Sequence, residues 1–95
     1  MIKSPMKIKF SKEFIKQYRK ADVRIRNSVD KKTSIFSNNP ADLSLKNQAL
    51  REKYQGHRSI DITSDWRAIY REVKVVDDEP FAYFTALGTH SQLYG

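Results

Sequence analysis

The sequence predicts one α+β domain over residues 1–95, in the order β-α-α-β-β-β, with a small antiparallel sheet and an amino-terminal helix pair packed on one face. Three observations lead to this prediction. Apolar residues recur at helical spacing in the first third of the chain. Three later segments are rich in strand formers and are separated by short polar turns. A chain of 95 residues is long enough for one core of modest stability.

Residues 7–39 predict a strand followed by two helices. Residues 7–10 alternate charged and apolar side chains, as a half-buried strand does. Ser11 and Asp22 each offer a side-chain oxygen that can cap a helix. Pro40 disfavours helix in the residue before it, which ends the second helix. The apolar stripe predicted on the two helices consists of Phe14, Tyr18, Ala21, Ile25, Val29 and either Ile35 or Phe36.

The second half of the chain predicts a connector and then three strands. Residues 38–50 form the connector, and its expected anchors are Leu43, Leu45 and Leu50. Gly88 is expected to let the chain bend out of the sheet after the last strand. The predicted strands are residues 58–63, 66–76 and 81–87, joined by a short link at 64–65 and a turn at 77–80.

Positive charge is concentrated at the amino terminus. Residues 1–32 carry eleven Lys or Arg and three Asp or Glu, a net charge of +8, whereas the whole chain carries +7; the rest is therefore −1. Such a block attracts polyanions or acidic proteins, or it forms a solvated helix face. No apolar run spans a bilayer and residues 1–6 lack the apolar stretch of a signal peptide, so we expect a cytoplasmic protein with no membrane contact. The absence of cysteine excludes disulfides and thiolate metal sites.

Alternation along residues 58–63 separates two faces of a strand. If Ile60 and Ile62 face the helices, then residues 57, 59, 61 and 63 face the other way. These are His, Ser, Asp and Thr, and they form either a chemical site or the solvated side of a two-layer domain.

The carboxyl-terminal segment carries the strongest chemical signal. His90 can exchange a proton near neutral pH, and Tyr94 lies four residues later and can stack on a base or donate a proton. Arginine's planar guanidinium suits a phosphate that gains negative charge. The cations available for this role are Arg51, Lys53, Arg58, Arg67 and Arg71. Isolated glycines and two histidines without cysteine argue against a phosphate loop and a zinc site.

These segments resemble a known family. Residues 56–62, 65–70 and 88–95 are similar to the RelE/ParE superfamily of bacterial toxins, and most similar to its YafQ-like mRNA endonuclease branch; the similarity spans the whole chain. The resemblance implies a RelE/ParE-like fold and a toxin that cuts mRNA in the ribosomal A site. It also implies that the RNA 2′-hydroxyl attacks the adjacent phosphate without a metal. An acidic antitoxin would neutralise such a protein.

The resemblance assigns roles to individual residues. His90 matches the catalytic histidine, Tyr94 the terminal aromatic, and Asp65 with Trp66 the Asp-Trp pair of the active site. Three positions depart from the YafQ pattern: Gln48 and Asp61 stand where histidines are usual, and Ala86 where YafQ has arginine. A RelE-type layout built from Arg51, Lys53, Arg58 and Tyr94 is the alternative.

The resulting hypothesis is a bacterial ribonuclease toxin in which His90 is the general acid or base. Asp65 orients a partner or assists proton transfer, Arg58 and Arg67 hold the phosphate, and Trp66 and Tyr94 position a base. Two alternatives remain, a ParE-like toxin that inhibits gyrase and a decayed relative that only binds an antitoxin. The predicted catalytic set is His90, Asp65, Tyr94, Arg58, Arg67 and Asp61, and the predicted RNA-binding set is Trp66, Arg51, Lys53, Lys12, Lys16, Arg19 and Lys20.

Overall fold

A computed structural model describes residues 6–95. The signal-peptide expectation and Lys3 of the basic block therefore lie outside the described residues. Two 3-10 turns cover Leu43–Leu45 and Glu52–Tyr54. The other elements are β1 (Lys7–Phe10), α1 (Lys12–Lys20), α2 (Val23–Asn38), β2 (Gln48–Ala49), β3 (Arg58–Asp61), β4 (Trp66–Val73), β5 (Phe81–Thr89) and α3 (His90–Tyr94).

The strands form one five-stranded sheet in the order β1-β5-β4-β3-β2. The predicted α+β class, with the helix pair on one face of the sheet, is confirmed. The sheet is mixed, however, because β1 pairs in parallel with β5 while the other pairs are antiparallel. The connector also contributes the edge strand β2, which the sequence did not predict. Within residues 6–95 no helix has the length and apolar character needed to cross a membrane.

Both predicted helix caps are present. The Ser11 hydroxyl accepts a hydrogen bond from the backbone N–H of Phe14 at 3.0 Å, and the Asp22 carboxylate accepts one from Ile25 at 3.0 Å. Each bond satisfies one of the free N–H groups of a first helical turn, a contribution of roughly 1 kcal/mol. Helix α2 ends at Asn38, two residues before Pro40.

The core lies between the sheet and helices α1 and α2. Phe36 packs against Tyr70 and Phe84 with ring centroids 4.8 and 5.3 Å apart, and Phe14 packs edge-on against Phe84 at 5.9 Å. Ile60 and Ile62 are buried in this core, as predicted. Leu45 is buried as well. The prediction that Leu43 is an anchor is wrong, because its side chain is 92% exposed.

The last two strands differ in length from the prediction. Strand β4 ends at Val73 rather than at 76, and the expected end is wrong because Val76 is 88% exposed in the following turn. Strand β5 continues through Gly88 to Thr89, which still pairs with Trp66. The expectation that Gly88 bends the chain out of the sheet is therefore wrong.

Candidate active site

The strand register divides the sheet into two faces. Ser59 pairs with Gln48 on one side and with Ile69 on the other, and Ile69 pairs with Ala86, so these four form a row across the sheet. This row faces away from α1 and α2, because Ile60, Ala68 and Tyr70 alternate with it and lie in the core. We call this side the site face. A second row on the site face contains Asp61, Arg67 and Gly88.

The site face is covered where it was expected to be polar and open. Ser59 and Ile69 are both 0% exposed, so the expected exposure of Ser59 is wrong. Asp61 and His57 are half-buried. All three positions that depart from the YafQ pattern, Gln48, Asp61 and Ala86, lie on this face.

Helix α3 packs on the site face through Gly88. A Cβ on Gly88 would lie 3.1 Å from the Gln92 side-chain oxygen and 3.4 Å from the Leu93 side chain. Thr89 and Gln92 form a reciprocal capping box: each backbone N–H donates to the other's side chain, at 2.8 and 3.2 Å. These contacts hold His90 in the first turn of α3, where it is exposed.

Four aromatic rings follow one another from α3 to the start of β3. The His90 and Tyr94 ring centroids are 4.7 Å apart, those of Tyr94 and Tyr54 are 5.8 Å apart, and those of Tyr54 and His57 are 6.1 Å apart. We call these four residues the aromatic row. The Tyr54 hydroxyl donates to the Leu93 carbonyl at 3.1 Å, so Tyr54 ties α3 to the rest of the site.

Tyr54 is a site residue that sequence reasoning missed. It lies in a 3-10 turn with no apolar periodicity, and the turn includes Glu52 at a positive φ of 57°. The signal that was present is its neighbourhood, since Lys53 precedes it and Arg51 begins the same turn. The Lys53 ammonium lies 5.1 Å from the Tyr54 ring centroid. Lys53, one of the predicted cations, is thereby placed at the aromatic row.

Two buried hydroxyls within residues 6–95 have no hydrogen-bond partner, Ser59 Oγ and the Tyr94 phenol. Nearly all buried polar groups in proteins are paired, so an unpaired one needs a reason. Tyr94 belongs to the aromatic row, and Ser59 belongs to the row of paired residues on the site face. Both oxygens are buried, so neither is open to solvent.

Asp61 and Arg67 form an ion pair at 3.0 Å, with both side chains 18% exposed. Arg67 also donates to the carbonyls of Thr63 and Ser64, each at 3.1 Å. The guanidinium thus secures the β3–β4 turn, and Asp61 neutralises its charge. The pair lies on the site face, but both partners already have structural contacts.

Asp65 and Trp66 lie on either side of the start of β4. The backbone N–H of His90 donates to the Asp65 carbonyl at 3.0 Å, which brings Asp65 beside the catalytic candidate. Trp66 packs against the core on the helix side. There it lines a cleft together with Lys16 and Lys20 of α1 and Gln92 and Leu93 of α3. The Asp-Trp pair is therefore divided between two surfaces.

Arg58 lies away from the aromatic row. It pairs with Tyr70 in register and so faces the helix side. Its Nε donates to Asn47 at 2.7 Å, and Asn47 donates to the Tyr70 hydroxyl at 2.7 Å. Arg58 and Arg67 thus point to opposite faces and are not placed to hold one phosphate together. The RelE-type layout is divided in the same way. The predicted RNA-binding cations of α1, namely Lys12, Lys16, Arg19 and Lys20, are all exposed.

Comparison with known proteins agrees with this fold. The family model described as "Bacterial toxin of type II toxin-antitoxin system, YafQ" matches residues 6–95. The chain belongs to the YafQ family of bacterial toxins. It is therefore a toxin of a type II toxin-antitoxin system, within the RelE/ParE superfamily. No curated protein sequence matches the chain significantly.

Solved structures of YafQ are similar to this member of the family. The crystal structure of YafQ from E. coli strain BL21(DE3) has a TM-score of 0.69 and 26% identity, covering 95% of this chain and 99% of that chain. YafQ in the E. coli DinJ-YafQ toxin-antitoxin complex has a TM-score of 0.66 and 26% identity, covering 96% and 99%. A YoeB/ParE toxin from Agrobacterium tumefaciens shares the fold at 18% identity, with a TM-score of 0.73 and coverage of 90% and 99%.

Proposed function

We propose that this YafQ-family toxin is a metal-independent endoribonuclease that cuts mRNA on the ribosome. The observation that carries the proposal is the pairing of His90 with Tyr94, whose ring centroids are 4.7 Å apart at an exposed edge. An imidazole that can reach solvent and a phenol fixed beside it are suited to proton transfer at a phosphate ester. Lys53, next to Tyr54, supplies positive charge to the same edge.

The reaction needs two proton transfers and stabilisation of charge. A general base removes the proton of the RNA 2′-hydroxyl, whose oxygen attacks the adjacent phosphorus. The bond from phosphorus to the 5′-oxygen breaks, and a general acid protonates that oxygen. The products are a 2′,3′-cyclic phosphate and a 5′-hydroxyl end. His90 performs one of the two transfers, and Lys53 stabilises the charge that develops on the phosphate.

The remaining site residues position the RNA. Tyr94 and Tyr54 offer aromatic surface on which a splayed-out base can stack. The exposed cations of α1 contact ribosomal RNA or mRNA, an interaction that weakens with salt. Arg67 and Asp61 keep the β3–β4 turn in shape beside this site.

An acidic antitoxin is the proposed protein partner, and the cytoplasm is the proposed compartment. A solved structure of YafQ from E. coli contains its antitoxin DinJ. The +8 charge of residues 1–32 favours association with an acidic segment that orders as it binds.

The first test is primer extension on a defined mRNA in a purified translation system, with and without the toxin. We expect ribosome-dependent cuts, and we expect His90→Ala to lower the cleavage rate by roughly 10²–10⁴-fold. Ser91→Ala is the matched control, because Ser91 is exposed in the same helix; it should cut at the normal rate. Normal cleavage by folded His90→Ala would contradict the assigned role.

The chemistry has its own readout. We expect 2′,3′-cyclic phosphate and 5′-hydroxyl ends, the products of attack by the 2′-hydroxyl. If the folded toxin leaves mRNA intact, a gyrase supercoiling assay decides between the two alternatives. Inhibition of supercoiling would indicate a ParE-like toxin, and no inhibition a protein that only binds its antitoxin.

A further inference from the structure

The helical layer carries an apolar groove that the nuclease proposal does not use. It lies between β1, α1 and α2 and has a volume of about 330 Å³. Phe10 and Ile15 lie on its walls and are 40% and 38% exposed, although both are large apolar side chains. Phe10 stacks on Phe14 with ring centroids 5.0 Å apart, so the groove has a rigid aromatic wall.

A cationic ridge borders this groove. Ile15 and Arg19 line both the groove and an adjoining shallow depression. The other residues of that depression are Lys12, Lys16 and Lys20. Glu13, the one acidic residue of α1, lines the cleft beside Trp66 instead. One surface of α1 therefore presents apolar side chains next to four positive charges.

The carboxylate that lines the groove already accepts a hydrogen bond. Asp30 accepts a hydrogen bond from the Tyr18 hydroxyl at 2.7 Å. This hydrogen bond raises the pKa of Tyr18, so the phenol remains a donor to Asp30 at neutral pH. The pair links α1 to α2, and the four cations of the ridge outnumber this single carboxylate.

We propose that this groove anchors an amphipathic, acidic segment of the antitoxin. The inference rests on the proposed antitoxin partner. Apolar side chains of the segment would fill the space beside Phe10 and Ile15, and its carboxylates would pair with the ridge. RNA fits the ridge but offers no aliphatic side chains for the groove. The anchor lies in the helical layer, across the sheet from Ser59 and Ile69, and is therefore separate from the aromatic row.

A matched pair of substitutions tests the anchor. Ile15→Glu places a carboxylate in the groove, while Val23→Glu makes the same change of charge at a 57% exposed position of α2 outside it. The antitoxin is identified as the product of a neighbouring gene that restores growth of cells producing the toxin. Its affinity for the toxin is then measured by calorimetry with purified proteins. We expect Ile15→Glu to weaken binding about tenfold or more, and Val23→Glu to weaken it less than threefold. Equal losses would overturn the proposal.

Two further measurements separate the possible failures. Hydrogen exchange of the wild-type complex should show protection at residues 10–19; protection confined to residues 90–94 would overturn the anchor even if a variant misfolds. Ile15→Glu should weaken binding of a fluorescent single-stranded RNA less than it weakens binding of the antitoxin, because RNA contacts the cations rather than the groove. Selective loss of RNA binding by Ile15→Glu, with antitoxin affinity unchanged, would assign the groove to RNA and overturn the proposal. Absence of mRNA cleavage by the wild type would contradict the nuclease proposal and leave the binding results interpretable.

Discussion

The two faces of the sheet differ in their side chains and in the elements that cover them. The helix-covered face is filled by aromatic and aliphatic side chains such as Phe36 and Phe84, both 0% exposed. The site face is covered by a helix of five residues and a 3-10 turn, held by hydrogen bonds and by the close contact at Gly88. One face buries large apolar surface, and the other carries unpaired hydroxyls and an exposed imidazole.

Stability therefore depends mainly on the helix-covered face, whereas the proposed chemistry depends on the site face. Apolar burial on the helix side supplies most of the folding free energy, because each large buried side chain contributes roughly 1.5–3 kcal/mol. The site face contributes less and carries the exposed His90. Substitutions on the two faces should therefore change different measured quantities.

The largest expected effect on stability comes from the helix-covered face. Phe36→Ala should lower the free energy of unfolding by roughly 3–5 kcal/mol, because it leaves a cavity between Tyr70 and Phe84. Urea denaturation measures this loss. Cleavage per folded molecule at low temperature should stay near the wild-type rate. A fall in cleavage rate as large as that caused by His90→Ala would show that the two faces do not have separate roles.

A smaller effect on stability, with a clear effect on activity, is expected from Gly88→Val. Its methyl groups would collide with Gln92 and Leu93 and displace α3. Overpacking costs roughly 1–3 kcal/mol, and a shift of about 1 Å in His90 is expected to slow cleavage about 10²-fold. Gly88→Ala, which adds only the Cβ, should show an intermediate rate. Wild-type cleavage by folded Gly88→Val would mean that α3 is not a fixed part of the site.

The smallest expected effect comes from the loss of a single hydrogen bond on the site face. Tyr54→Phe removes the donor to the Leu93 carbonyl and should cost about 1 kcal/mol. Hydrogen exchange in residues 90–95 should become faster, with a severalfold fall in cleavage. Tyr83→Phe is the control, since the Tyr83 ring packs against Phe81 and Arg71 on a different part of the sheet. Equal hydrogen exchange and equal cleavage rates in the two variants would show that Tyr54 does not support the site.

Local patterns in the sequence predicted the local structure. Ser11 and Asp22 marked both helix starts because a cap depends only on the next three residues. Ile60 and Ile62 marked the buried face of β3 through simple alternation. His90 and Tyr94 were singled out by residue type and spacing, but helix α3, which places their rings side by side, was not predicted.

Features set by distant parts of the chain were not predictable in this way. The parallel pairing of β1 with β5 joins segments more than 70 residues apart and leaves no local signature. Strand β2 has two residues, too few to show alternation. Ser59 alternates as a solvated residue would, yet it is buried in the folded chain. Arg58 and Arg67 looked equivalent because both are arginines on central strands, whereas the register sends them to opposite faces.

The pairing of β1 with β5 has a consequence for the timing of folding. A chain leaves the ribosome with its amino terminus first, and Lys7–Phe10 must wait for residues 81–84 before they can pair. Helix α3, with His90, follows directly after β5 and is made later still. Strands β1 and β5 therefore join only after residues 81–84 have been made. The nuclease proposed above would thus be inert until its site, which includes His90, has been synthesised.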